Sequence, residues 1–268
     1  MRDPENPLNA LKPPLKWAGG KRWQVPHLRP LWEPHRHRRL VEPFCGGLAV
    51  TLGLNPKQAL LNDINSHLIN FYDWVKRGLG CSVTMKNEED LFYGHRNRFN
   101  ALVRTGKSRT LEAASLFYYL NRTGYNGLCR FNRKGEFNVP FGRYKTIPYA
   151  NDFFSYRKAF EGWRFTSHDF SGLELCEADF VYADPPYDVE FTSYARYGFK
   201  WEDQVRTAEW LTQHSGPVVL VNQATPRIRT LYRHLGFMLR YLDGPRRISS
   251  SGDRTPAREV LATRNIEL

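Results

Sequence analysis

The sequence is short of several things, and each shortage removes a class of function. It carries four cysteines in 268 residues, Cys45, Cys81, Cys129 and Cys176. They lie far apart with no Cys-x-x-Cys pair, which leaves neither a zinc spacing nor a disulfide framework. The histidines offer no ligand spacing either, since His35 and His37 stand in a basic stretch with no cysteine nearby. No metal is expected. No run approaches the roughly 20 apolar residues that span a bilayer, and the opening from Met1 to Lys16 is polar and proline-rich, unlike a signal peptide. No membrane partner is expected, and the chain should work in the cytoplasm. A Gly-x-Gly-x-x-Gly turn is missing too, which argues against a nicotinamide-dependent enzyme. Acidic residues are also scarce: 27 Asp and Glu face 39 Lys and Arg, for a net charge of +12. A surplus of that size favours a polyanionic partner. The basic residues are interleaved with aromatics along the whole length, a mixture suited to neutralising phosphates and stacking on bases.

What is present reads as an α/β protein. Hydrophobic residues make up 41% and charged residues 25%, ordinary values for a globular chain with a substantial core. Short apolar runs ending in polar or glycine-rich loops predict strands over 39–44, 59–61, 180–183, 217–221 and 259–262. Helical patterns follow the first two, through Leu54 and through Leu68, Phe71 and Val75. That alternation predicts a sheet covered on both faces. The stretch from Lys76 to Tyr149 is different, dense in Arg, Asn, Gly, Phe and Tyr, with an amphipathic helix over 112–120 and a turn-rich run after it. The expected organisation is a catalytic domain of residues 1–75 and 150–268, interrupted by a subdomain of residues 76–149.

Two constellations carry chemistry. Glu42-Pro43-Phe44-Cys45-Gly46-Gly47 joins a strand to a helix, and Asp63 ends the next strand about 17 residues after Gly46. Glycines let a ligand approach the backbone, and a strand-end acid commonly holds ribose hydroxyls; alone, the pair fits any doubly wound fold equally well. Asp184-Pro185-Pro186-Tyr187 is more specific and follows an apolar strand, at the edge where open α/β sheets bind ligands. Its prolines leave carbonyls free to accept. Asp184 and the Pro185 carbonyl would accept from a planar exocyclic amine such as adenine's, localise its lone pair and aim it at a sulfonium methyl. Tyr187 would stack on a base extruded from a duplex. The plain alternative is a rigid strand-end turn with an exposed tyrosine.

With Leu15-Lys16-Trp17-Ala18-Gly19-Gly20-Lys21, Asn62-Asp63-Ile64-Asn65, Tyr119 to Arg130 and Gly135 to Tyr144 added to these, the chain resembles the Dam family of adenine-N6 DNA methyltransferases, the group alpha, D12 class. The motifs run from about residue 15 to 262, in that family's permuted order. The resemblance implies a Rossmann-like S-adenosylmethionine-dependent sheet with an inserted helical and β-hairpin recognition subdomain. It implies that Trp17, Lys21, Phe44, Asp63 and Asp184 line the cofactor site. Phe170 would pack on the cofactor adenine or in the core. In the hairpin, Arg130 would read a guanine through a bidentate contact, with Leu128 and Pro140 against the thymine methyl. Tyr125 and Asn126 would support base flipping, and Lys16 would touch another guanine or its phosphate. Arg122, Arg143 and Tyr144 complete the expected DNA-binding set, although the arginines serve phosphates equally well.

The implied activity is site-specific methylation of adenine in double-stranded DNA at GATC, with nucleoid association through DNA and no obligate protein partner evident. Asp184 is expected to act as a hydrogen-bond acceptor, because an aspartate is a weak base. One departure stands out: Leu48 follows Gly46-Gly47 where the family usually has a further small residue. The basic, hydroxyl-rich run from Arg246 to Arg254 suits phosphate contacts or a solvated loop. Two rivals remain, an RNA or protein amide-nitrogen methyltransferase and a catalytically dead DNA-binding module.

Overall fold

The computed structural model describes residues 11–80, 82–188, 199–244 and 257–266. The run from Arg246 to Arg254 lies outside the described residues. In chain order the strands are β1 (Arg39–Glu42), β2 (Ala59–Asn62), β3 (Trp163–Thr166), β4 (Asp179–Ala183), β5 (Val218–Gln223), β6 (Met238–Gly244) and β7 (Ala257–Arg264). The helices are α1 (Val25–Trp32), α2 (Ala49–Leu54), α3 (Ser66–Arg77), α4 (Glu89–Arg104), α5 (Leu111–Thr123), α6 (Phe154–Ala159), α7 (Trp201–Thr212) and α8 (Pro226–His234). The strands form one sheet in the order β3-β2-β1-β4-β5-β7-β6, a Rossmann-like α/β arrangement as expected. No helix of the described residues is long and apolar enough to cross a membrane.

The chain packs as two compact units. The first gathers residues 1–25, 46–55 and 63–168; the second gathers 26–45, 56–62 and 169–268. The expected insert, 76–149, lies wholly inside the first unit. That unit also takes in α3, because Phe71 stacks on Tyr118 of α5 at 5.5 Å and meets Phe153 edge-on at 5.6 Å. Side-chain caps set the helix starts here: Asn65 accepts from the His67 and Leu68 N–H groups, and Thr110 accepts from Ala113.

In the second unit β1 pairs in parallel with β2 and with β4, β4 with β5 likewise, while β7 runs antiparallel to β5 and β6. The direction of winding reverses between β1 and β4, which places their carboxyl ends at a topological switch point. Strands β2, β4 and the first five residues of β5 are buried throughout, as the apolar runs predict. A bidentate pair from Arg39 to the buried Asp179, at 2.8 and 2.7 Å, ties the starts of β1 and β4 together.

Candidate functional site

In the first unit, the Gly46-Gly47 turn packs against Trp17. A Cβ on Gly46 would meet the Trp17 indole nitrogen at 2.7 Å, and one on Gly47 would meet the Trp17 Cβ at 2.8 Å. The two glycines thus let the turn approach Trp17 closely. Leu48 follows with φ at +61° and its side chain fully buried. A left-handed leucine costs about 1–2 kcal/mol, a physical reason for a small residue at that position. Here burial of the side chain offsets the strain.

Asp63 takes the Gly46 N–H on Oδ2 at 3.1 Å and the Asn65 N–H on Oδ1 at 2.9 Å. Burial pushes its carboxyl up from the usual carboxylate range, and the two backbone donors pull the other way. A carboxylate offers about four acceptor positions, so two backbone bonds leave room for a diol. Directly beside it, Ile64 is 74% exposed, a large apolar side chain that sequence patterns pass over because it sits between two polar residues. Tyr72 donates to the Gly46 carbonyl at 2.7 Å, and Lys21, buried, donates to the Gly19 carbonyl at 3.0 Å.

The hairpin expected around Arg130 forms in the same unit. Asn138 donates its N–H to Arg130, Asn132 to Glu136 and Tyr125 to Pro140. Burial alternates with a period of two: Phe137 and Val139 are buried, Asn138 and Pro140 exposed. The exposed Arg130 spends two of its five donors on Asn138, Nε on Oδ1 at 2.8 Å and Nη2 on the carbonyl at 3.2 Å. Tyr125 is half exposed and Asn126 sits at φ +51° on the neighbouring turn; Leu128 is half-buried and Arg143 exposed.

Other residues expected at DNA have internal partners. Lys16 donates to the Arg122 carbonyl at 3.0 Å and lies 3.9 Å from the centre of the Tyr144 ring. Burial, then the nearby Arg122 charge, lowers its pKa. Tyr144 donates to the Gly124 carbonyl at 2.9 Å and accepts the Gly127 N–H at 3.2 Å. Arg122 donates to the Pro148 carbonyl.

The hairpin is held beside its turn by two helices. Asn100 of α4 accepts the Phe137 N–H at 2.7 Å and donates to its carbonyl at 3.1 Å, as a strand neighbour would. His67 of α3 stacks on Phe131 at 4.7 Å, with Nε2 3.1 Å from the Gly135 carbonyl.

In the second unit, Pro43 accepts from Asn62 Nδ2 at 3.0 Å and the Cys45 N–H reaches the Asn62 carbonyl at 2.8 Å. This pins the loop beyond β1. Phe44 packs on Phe170 at 5.3 Å and Phe199 at 5.6 Å. Phe170 is buried, with the Arg206 guanidinium 4.3 Å from its ring centre and Trp210 at 5.5 Å.

Asp184 is half-buried just past β4, Pro185 is buried and Pro186 exposed. The Tyr187 hydroxyl donates to Glu259 of β7 at 2.5 Å. Burial, then the Asp184 and Glu259 carboxylates, raises the Tyr187 phenol well above its ordinary value. The phenol therefore stays protonated and can serve as a donor. The end of the loop, Pro186 and Asp188, bonds Gln204, Asn222 and Arg227, none of which stands in a recognisable sequence pattern.

Known proteins match the chain along most of its length. The model of the D12 class N6 adenine-specific DNA methyltransferases matches residues 17–244. The chain is 35% identical over 267 residues to the retron Ec67 DNA adenine methylase of Escherichia coli, covering 92% of this chain and 90% of that protein. It is 36% identical over 273 residues to the DNA adenine methylase of Escherichia coli strain K12, covering 92% and 93%. To the DNA N-6-adenine-methyltransferase of Escherichia phage P1 it is 36% identical over 268 residues, covering 92% of this chain and 34% of the phage protein. The chain thus spans about a third of the phage protein's length.

Proposed function

The chain belongs to the D12 class of N6 adenine-specific DNA methyltransferases, and from that premise we propose that it transfers methyl from S-adenosylmethionine to a flipped adenine of GATC in duplex DNA. The observation that carries the reading is Asp184-Pro185-Pro186-Tyr187 at the carboxyl end of β4, next to β1 and at the reversal of strand order.

The residues present suit the cofactor. Asp63 keeps acceptor positions for ribose hydroxyls, and exposed Ile64 offers an apolar face for an adenine. By the family resemblance Trp17, Lys21, Phe44 and Asp184 would add contacts, and Phe170 packs on Phe44. When bound, S-adenosylmethionine supplies an electrophilic methyl on a sulfonium sulfur. Asp184 and the Pro185 carbonyl accept hydrogen bonds from the adenine amine and localise its lone pair. Tyr187, tethered by Glu259, stacks on the extruded base. The amine proton is lost to solvent after transfer, and no covalent enzyme intermediate forms.

Arg130 reads a guanine, Leu128 and Pro140 meet the thymine methyl, and Tyr125 and Asn126 assist extrusion. Given their internal bonds, Lys16, Arg122 and Tyr144 chiefly shape the surface on which these residues stand, while Arg143 meets phosphate. Methyl incorporation from labelled S-adenosylmethionine into duplex DNA, RNA and protein tests the reading. N6-methyladenine in the duplex alone is expected; labelling of RNA alone would overturn it.

A further inference from the structure

Two consecutive prolines stiffen the tetrapeptide but remove two backbone N–H groups. The loop's two central residues can therefore be held only through their carbonyls, and the rest of the fastening falls to the residues beside them. Gln204 of α7, 2% exposed, donates from Nε2 to the Pro186 carbonyl at 2.7 Å. Its Oε1 accepts from Asn222 Nδ2 at 2.9 Å. Asn222, fully buried in β5, gives its other N–H to the Tyr232 hydroxyl at 3.2 Å. Its Oδ1 accepts the N–H of Asp188 at 3.1 Å and of Gln223 at 2.8 Å. All four hydrogen-bonding positions of the Asn222 amide are filled.

These bonds have a direction. Two backbone donors fix which end of Asn222 is oxygen, so Nδ2 faces Gln204. Gln204 must then turn Oε1 toward Asn222 and Nε2 toward Pro186, because a flipped amide would set oxygen against oxygen. The two side chains thus bracket Tyr187, one on the carbonyl before it and one on the N–H after it. Asp188 is also anchored through its side chain, by Arg227 Nε at 2.6 Å and Thr225 Oγ1 at 3.0 Å. An altered Gln204 therefore leaves the loop attached but free to shift.

We propose that Gln204 and Asn222 form an amide relay that positions Asp184-Pro185-Pro186-Tyr187 for methyl transfer; the inference rests on the methyltransferase reading above. Both are positioning residues, acting through the loop and touching no substrate.

The test is Gln204→Glu, which keeps shape and still accepts from Asn222 but turns lone pairs toward the Pro186 carbonyl. In single turnover the transfer rate should fall roughly 100-fold, the scale of a misplacement near 1 Å, while Kd for duplex and for S-adenosylmethionine stays within about 3-fold. A protonated glutamic acid regains an O–H donor, and burial raises the pKa of such a group. Acidification should therefore bring the rate back toward wild type. Gln204→Leu, which donates at no pH, should lose rate equally at every pH.

Wild-type rate in Gln204→Leu overturns the relay, even if Gln204→Glu fails to fold. Identical pH profiles for the two variants overturn it as well. A wild-type protein that forms no N6-methyladenine sinks the parent reading and the relay together. A competent wild type with unaffected variants sinks the relay alone.

Discussion

The hairpin around Arg130 and the Asp184–Tyr187 loop are both turn-rich and both bear proposed functional residues, yet they are held in different ways. The hairpin is gripped beside its turn, by Asn100 and by the stack of His67 on Phe131, while Arg130, Asn138 and Pro140 stay exposed. The tetrapeptide loop is gripped residue by residue, at Pro186, Tyr187 and Asp188, from the buried side chains of Gln204, Glu259 and Asn222. A surface that reads a groove needs side chains reaching into solvent on a firm footing. A loop that aligns an amine with a methyl donor tolerates little displacement. The difference in fastening matches the difference in proposed task.

Substitutions in either region sharpen that contrast. The largest effect belongs to Asp184→Ala, which should lower the transfer rate by roughly 1000-fold while GATC duplex binding, measured by fluorescence anisotropy, is kept. Loss of binding in step with rate would break the division of labour. Next, Arg130→Ala should lose about 1–3 kcal/mol of discrimination at one guanine, read as the ratio of methylation rates on GATC and on single-base variants, with S-adenosylmethionine affinity intact. Asn100→Leu strips both bonds from Phe137 and should cost about 1–3 kcal/mol in chemical denaturation, with weaker duplex binding and unchanged methyl-donor affinity.

The smallest effect is a pH dependence. Burial holds His67 below its ordinary value of 6.5, so the folded chain takes up that proton later than the unfolded chain. Stability should therefore fall as pH drops through about 6.5, where only the unfolded state gains the proton. His35 and His95 are lowered as well. His67→Phe, which keeps the ring stack, should make the acid slope of the melting temperature shallower without abolishing it. An unchanged slope would show that His67 does not titrate with unfolding.

Much of the fold was legible because β1, β2, β4 and β5 are apolar runs closed by polar loops. Strands β3 and β6 were not. Trp163–Thr166 is four residues long with Arg164 exposed, and Met238–Gly244 alternates exposed and half-exposed residues for most of its length, so neither forms an apolar run. The loops bearing Asp63 and Asp184 stood out by composition and position. Gln204 and Asn222 could not, since they are 18 residues apart on a helix and a strand, and only packing brings their amides together. Lys16 shows the converse: its motif points to DNA, while its ammonium sits between the Arg122 carbonyl and the Tyr144 ring.

The most direct measurement is to express the chain in a host free of DNA methylation and map modified bases across the genome. N6-methyladenine is expected on both strands of GATC and at no other motif, with every mark lost in Asp184→Ala. Absence of N6-methyladenine from DNA, or its appearance at an unrelated motif, would contradict the proposed function.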